Sequence, residues 1–216
     1  MDQTQNLITT LQTWFFNLVV IFLILAGLTL LLYALLIWWR NRHREEQALQ
    51  YVLLQVAVPF DNEIKIDAAE QMFASLFAIK KGGFLKFLKL QPHLSFEIVA
   101  KHEDIRFYVS VPTQLKDMVE KQINGAYPDA EILEVPEYNI FSENGRVAFA
   151  ELELKESAYR PIKLYKDLPT DSLSSLTTAL AKMDEGEGAA VQILITPSES
   201  QWQSAGRNFI ASIKKA

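Results

Sequence analysis

The chain has 216 residues, 26 acidic against 21 basic side chains for a net charge of −5, and no cysteine. A net acidic balance is the wrong field for general nucleic-acid binding, which relies on a basic surface to displace counterions from phosphates. Without cysteine there are no disulfides, no thiolate metal sites and no thiol nucleophile.

From Leu7 to Trp39 no residue is charged, and the apolar run stops at Arg40-Asn41-Arg42-His43-Arg44. At about 1.5 Å per residue, a helix from Trp14 to Trp39 spans about 39 Å, more than the hydrocarbon core of a bilayer and enough to allow tilt. Trp14, Trp38 and Trp39 stand at its two ends, with Tyr33 nearby, where amphipathic rings favour the headgroup boundary. A cleaved signal peptide fits poorly, because the start is Met1-Asp2-Gln3 and bulky tryptophans close the run. The sequence therefore predicts a short extracytoplasmic leader (1–13), a transmembrane helix (14–39) and a basic stalk (40–50). Arg40, Arg42 and Arg44 serve as the cytoplasmic interface residues and place the bulk of the chain inside. Only Asn17, Gly27 and Thr29 interrupt the aliphatic run, so the helix reads as an anchor and not as an ion path. Asn17 near the outer interface is a candidate for pairing with a second copy.

About 175 residues follow the leader and the span, enough for one medium domain or two small ones. The stalk helix continues past the membrane, with Arg42 spaced to pair with Glu45 or Glu46. Tyr51 to Val58 is β-branched and aliphatic and predicts a strand ending at Pro59. Asp67-Ala-Ala-Glu70 has the form of a capping box, and Ala69, Met72, Phe73, Leu76 and Lys80 make one helical stripe. Leu94 to Lys101 and Ile105 to Val111 alternate as two strands around a His102-Glu103 hairpin. A helix carrying Leu115, Met118, Val119, Ile123 and Ala126 and a strand from Ala130 to Val135 complete βαββαβ within 51–137, the ferredoxin-like order with both helices on one face. After a turn at Ser142–Gly145, a second partial unit is expected over 147–216. It comprises a strand at Val147–Leu154, a helix capped by Thr170 or Asp171 with Leu173, Leu176, Thr177, Leu180 and Met183 inside, a strand at Ala190–Thr196 and a last helix with Trp202, Ala205, Phe209 and Ile213. The chain stops with no closing strand, so that unit is either small or continues beyond Ala216. The fold class is α+β.

Chemistry-bearing patterns are sparse. No glycine cluster precedes Lys-Ser or Lys-Thr, and Gly-x-Gly-x-x-Gly is absent, so no phosphate-cradling loop is expected. His43, His93 and His102 lack metal-ligand spacing and read as surface residues, Ser200 and Ser204 have no neighbouring histidine, and Glu151 and Glu153 alternate with Leu152 and Leu154 as a wet strand face does. No catalytic residue, cofactor or metal is therefore assigned. In Lys80-Lys81-Gly82-Gly83-Phe84-Leu85-Lys86-Phe87-Leu88-Lys89-Leu90, lysines alternate with large apolar groups. Phe84, Leu85, Phe87 and Leu88 with Lys86 and Lys89 are candidates for contact with the inner leaflet; the other reading folds Phe84 and Leu88 onto the sheet. Arg106-Phe107-Tyr108-Val109 faintly echoes an RNA-binding strand, but with Phe107 on the core stripe with Ile105 and Val109 only Tyr108 would be exposed, and the acidic balance lends no support.

The segments Asp67-Ala-Ala-Glu-Gln-Met-Phe-Ala-Ser-Leu, His93-Leu-Ser-Phe-Glu-Ile-Val-Ala, Ile105-Arg-Phe-Tyr-Val and Gln122-Ile-Asn-Gly-Ala-Tyr-Pro-Asp-Ala-Glu-Ile resemble the region ahead of the motor in bacterial type IV secretion and conjugation ATPases of the coupling-protein kind. The resemblance continues through Leu180-Ala-Lys-Met-Asp-Glu-Gly-Glu and Val191-Gln-Ile-Leu-Ile to Trp202 and covers most of the soluble part. It implies a single-pass protein of the bacterial inner membrane, with its N-terminus outside and its soluble part cytoplasmic. Such a part acts as a non-catalytic anchoring and docking module of a DNA or protein translocase. The implied partners are a motor ATPase, in the same longer chain or separate, other secretion components and further copies of itself, met through exposed strand edges. No motor residue maps onto this chain. The competing reading from the residues alone is a membrane-tethered ligand sensor or small hydrolase, with Tyr159 and Arg160 at the rim of a site between the two units.

Overall fold

The computed structural model describes residues 2–48, 50–80, 82, 91–143, 145–169, 171 and 173–214. It divides into two units, the first built on the N-terminal helix and the second an α+β body spanning 50–81 and 91–216. Helix α1 (Asp2–Ala48) includes the expected leader, span and stalk without a break. Its Thr10–Trp39 stretch is long and apolar enough to cross a membrane, and its side chains lie uncovered by protein. The Thr29 hydroxyl donates to the Leu25 carbonyl one turn back at 2.7 Å, so this polar group is satisfied within the helix itself, as an apolar solvent demands.

The body is one antiparallel sheet in the order β4-β1-β3-β2-β5. Its strands are β1 (Tyr51–Ala57), β2 (Leu94–Lys101), β3 (Asp104–Pro112), β4 (Glu131–Val135) and β5 (Gly188–Ile195). The first four keep the ferredoxin-like order. Helices α2 (Asp67–Ser75) and α3 (Lys116–Ala126) cover one face, where Leu54, Leu94, Val109 and Val111 meet Met72, Leu76, Val119 and Ile123. Alternation dictates this face, since every second residue of a strand points the same way. At the hairpin tip Glu103 takes a positive φ of 56°, a left-handed position that suits a tight β2–β3 connection.

Four expectations are corrected. The strand expected at 190–196 within the second unit joins the first sheet instead: β5 pairs antiparallel along β2, from Leu94 opposite Ile195 to Lys101 opposite Gly188. The outer edge of β2 is unpaired in the four-stranded order, and the uncharged Gly-Ala-Ala-Val-Gln-Ile-Leu-Ile strand satisfies it. Helix α4 (Ser174–Leu180) then packs Leu180, Leu176 and Met183 on Ile98 and Ala100 of the same sheet. Second, Val147–Leu154 is not a strand; it joins no sheet and is exposed throughout. Third, the Asp67 box caps nothing: Ile66 is the N-cap and makes no side-chain capping bond, because the Asp67 carboxylate is engaged elsewhere in the body. The stripe that follows is right as far as Leu76, but the α-helix tightens there into a 3-10 turn (Leu76–Ile79). Fourth, Tyr108 is not exposed: it is buried with Leu53 and Val99, while Phe107, on the helix face opposite Ile98, is half-exposed. Asp171 does act ahead of α4, its carboxylate accepting the Leu173 N–H at 3.0 Å. Ser200 holds the N-cap position of α5 (Gln201–Ile213).

Candidate functional site

The face of the sheet opposite the helices is not bare. After β4, residues 136–140 cross it as a strap. Val135 lies opposite Leu53 on β1, the Tyr138 ring stacks on Tyr108 at 5.3 Å between centroids, and Ile140 arrives against Gly188 at the start of β5. A side chain at Gly188 would sit 3.0 Å from Ile140, so glycine is what lets the strap approach this closely. Leu53, Val99 and Tyr108 are buried beneath it, with Ala190 packed alongside.

The strap holds a polar knot. Glu97 on β2 is only 6% exposed. Its two carboxylate oxygens accept from the Tyr138 hydroxyl at 2.6 Å and from the Gln192 side-chain amide at 3.1 Å. The same amide lies 3.3 Å from the Tyr138 oxygen. Burial, and then the hydrogen bond to Glu97, push the Tyr138 hydroxyl well above the ordinary tyrosine range. Next to the knot, the Ser95 hydroxyl is buried without a hydrogen-bond partner. A carboxylate clamped by a tyrosine and an amide ties β2, β5 and the strap together.

A second fastening joins α2 to the long connection after the strap. The Tyr165 hydroxyl donates to the Asp67 carboxylate, and Lys166 Nζ lies 2.8 Å from the same oxygen. Lys166 first, and Tyr165 next, hold the Asp67 carboxyl below the usual carboxylate range. A lowered carboxyl contributes stability above its unfolded value, and that contribution is lost as pH falls through its folded value. The Tyr165 and Lys166 amide NMR signals should therefore shift together with a midpoint below the usual carboxylate range, and Asp67→Asn should abolish that transition. A midpoint within the ordinary range contradicts the tether.

The remaining site residues fall as follows. Trp14, Trp38 and Trp39 are exposed at the two ends of the apolar stretch, and the Arg42 guanidinium lies 5.4 Å over the Trp38 ring, a cation–π contact that binds the basic cluster to the aromatic belt. The side chains of Arg40 and Arg44, of Glu45 and Glu46, and the candidate leaflet segment Phe84, Leu85, Lys86, Phe87, Leu88 and Lys89 lie outside the described residues. The Tyr159 ring packs at 5.4 Å from Phe209 on α5, and the Arg160 guanidinium lies 5.6 Å over the same ring. Beside them Ala158, Ser198, Glu199, Gln201 and Trp202 line an open depression of about 440 Å³ without a histidine or a second carboxylate. His93 stacks on Tyr51 and shares a 3.0 Å hydrogen bond with its hydroxyl, and His102 Nδ1 lies 3.0 Å from the Met183 carbonyl oxygen, so both work as clips. Among the described residues no group of three or more His, Asp or Glu could hold a metal.

What stands out as unused is surface. Among the described residues no strand pairs with the outer edge of β4 or of β5. The connection after the strap exposes the large apolar side chains of Phe141, Val147, Phe149, Leu152, Leu154, Ile162 and Leu164. Sequence reasoning found the outline of these elements and missed the fastenings. A signal for the first was present in Glu97, a carboxylate on the same strand parity as the apolar Val99.

No curated protein and no solved structure matches the chain. A family model described as a domain of unknown function, DUF8128, matches residues 42–215, from the basic cluster through the whole α+β body. The chain belongs to the DUF8128 family.

Proposed function

We propose that the chain is a membrane-anchored assembly and docking module, non-catalytic in itself, which holds a motor ATPase of a type IV secretion-like translocase at the cytoplasmic face of a bacterial inner membrane. The observation that carries the reading is the pairing of one apolar helix with a body whose sheet edges and post-strap connection are left uncovered. Supporting it, the buried Glu97 carboxylate is engaged in fastening the strap to the sheet. The resemblance of 67–76, 93–100 and 122–132 to the region ahead of a coupling-protein motor supplies the identity of the partner. The arginines after the span favour a body on the cytoplasmic side, where a motor would find nucleotide.

The test is affinity purification of the tagged full chain from mildly solubilised native membranes. The reading predicts that a P-loop ATPase accompanies it, or is found in frame on a longer natural chain, and that ATP hydrolysis co-elutes. Purification of an intact oligomer with neither contradicts the motor assignment.

A further inference from the structure

The connection from 147 to 154 has the composition of a strand and no sheet. On one parity it carries Ala148, Ala150, Leu152 and Leu154, all apolar; on the other Glu151 and Glu153 follow Val147 and Phe149. That is the two-faced pattern of a half-buried strand, yet Phe149 is 89% exposed and Leu152 97%. The same body offers unpaired edges that such a strand could extend.

We propose that residues 147–154 of one copy pair along the β5 edge of a second copy, and reciprocally, so that two bodies join through exchanged strands.

Charge selects the edge. β4 carries Glu131 and Glu134, which would stand against Glu151 and Glu153, whereas Gly188–Ile195 has no charge at all. Apolar surface selects the same edge: Ile193 is 57% exposed on the helix face of β5, opposite Phe96, where the Ala148–Leu154 parity would cover it. The path of the chain agrees, because the strap delivers residue 140 to Gly188, so the segment leaves each body at its own β5 edge. Two such edges facing one another exchange equivalent strands in a closed twofold pair, an isologous contact that uses one surface twice and does not propagate into fibres. The proposal deepens the assembly reading and rests on its anchor in one respect, that copies held in one membrane meet at raised effective concentration.

The absence of cysteine makes the test clean. Full-length chains carrying Leu152→Cys with one tag and Ile193→Cys with another are co-expressed, solubilised in nonionic detergent and treated with a short bis-maleimide. The proposal predicts a cross-linked species bearing both tags, reduced at least tenfold when Ala150→Pro is added to the Leu152→Cys chain. Ala150 is in no ladder within its own body, so the proline leaves the fold intact, and a native circular-dichroism spectrum verifies this. Three results overturn the proposal: no two-tag product, a product indifferent to Ala150→Pro, or a Leu152→Cys/Ile193→Cys double variant that cross-links only within one chain. A chain monomeric by this assay that still retains its motor would sink strand exchange alone, and an exchanged dimer without a motor would sink the docking assignment alone.

Discussion

Replacing Tyr138 by alanine is expected to destabilise the body by about 3 kcal/mol, the scale for removing a large aromatic from a packed site. Tyr138→Phe is expected to cost about 2 kcal/mol, since it leaves a buried carboxylate short of one donor. The two variants separate the two jobs of the residue. Phenylalanine keeps the ring stacked on Tyr108 and keeps the cover over Leu53 and Val99. What it removes is the 2.6 Å hydrogen bond to Glu97, whose other oxygen still accepts from Gln192. Urea unfolding of the full chain in mild detergent measures both. The pH dependence follows from the raised hydroxyl. A group whose folded value lies above its unfolded value stabilises fully below the ordinary tyrosine range, and that contribution fades as pH climbs through the folded value. The gap between the native chain and Tyr138→Phe should therefore narrow only in strongly alkaline solution. A Tyr138→Phe chain as stable as the native one would mean that the strap is held by its ring alone.

The largest change in behaviour is expected from the other end of the molecule. Deleting residues 1–39 should move the protein from a carbonate-resistant membrane pellet to the soluble fraction. Replacing Leu23 and Leu30 together by lysine should do most of the same, at about 2.5–3.5 kcal/mol for each charge placed near the middle of a span. Both leucines are exposed on the helix, in a run from Leu7 to Trp39 that contains no carboxylate to pair with the introduced charge. The deleted chain should still fold, because the body from 50 onward has its own core of nine buried residues around Leu54 and Val119. A deleted chain that remains in the pellet after carbonate washing would place the membrane contact in the body, with the lysine-rich 80–90 connection as the first suspect.

Local pattern made part of this structure legible. The helical stripes of α2 and α3, the alternation in β1 to β3 and the His102-Glu103 hairpin are short-range signals, and each appears where its residues put it. What sequence reading lacked was the identity of partners. The strand at 188–195 carries no charge and suits a sheet without naming its neighbour, and the free β2 edge claimed it. The segment 147–154 is the converse, a strand-forming pattern whose partner is missing from its own body. Asp67 looked like a helix cap because its near neighbours allow one; Tyr165 and Lys166, nearly a hundred residues away, take the carboxylate instead. The exposure of Tyr108 was misjudged for the same reason, since nothing in Pro136-Glu137-Tyr138 announces that it will lie across the sheet. The knot of Glu97, Tyr138 and Gln192 therefore became visible only when three distant parts of the chain were brought together.

An anchored module that holds a motor is useful only with its body in the compartment that contains nucleotide, so topology is the most direct test. Because the chain has no cysteine, a single Glu156→Cys on the exposed connection and, separately, Thr4→Cys ahead of the span can be probed with a membrane-impermeant maleimide in cells whose outer membrane is permeabilised. The account predicts that Thr4→Cys is labelled while the inner membrane is intact and that Glu156→Cys is labelled only after that membrane is broken. Labelling of Glu156→Cys with the inner membrane intact would put the body outside and contradict the account.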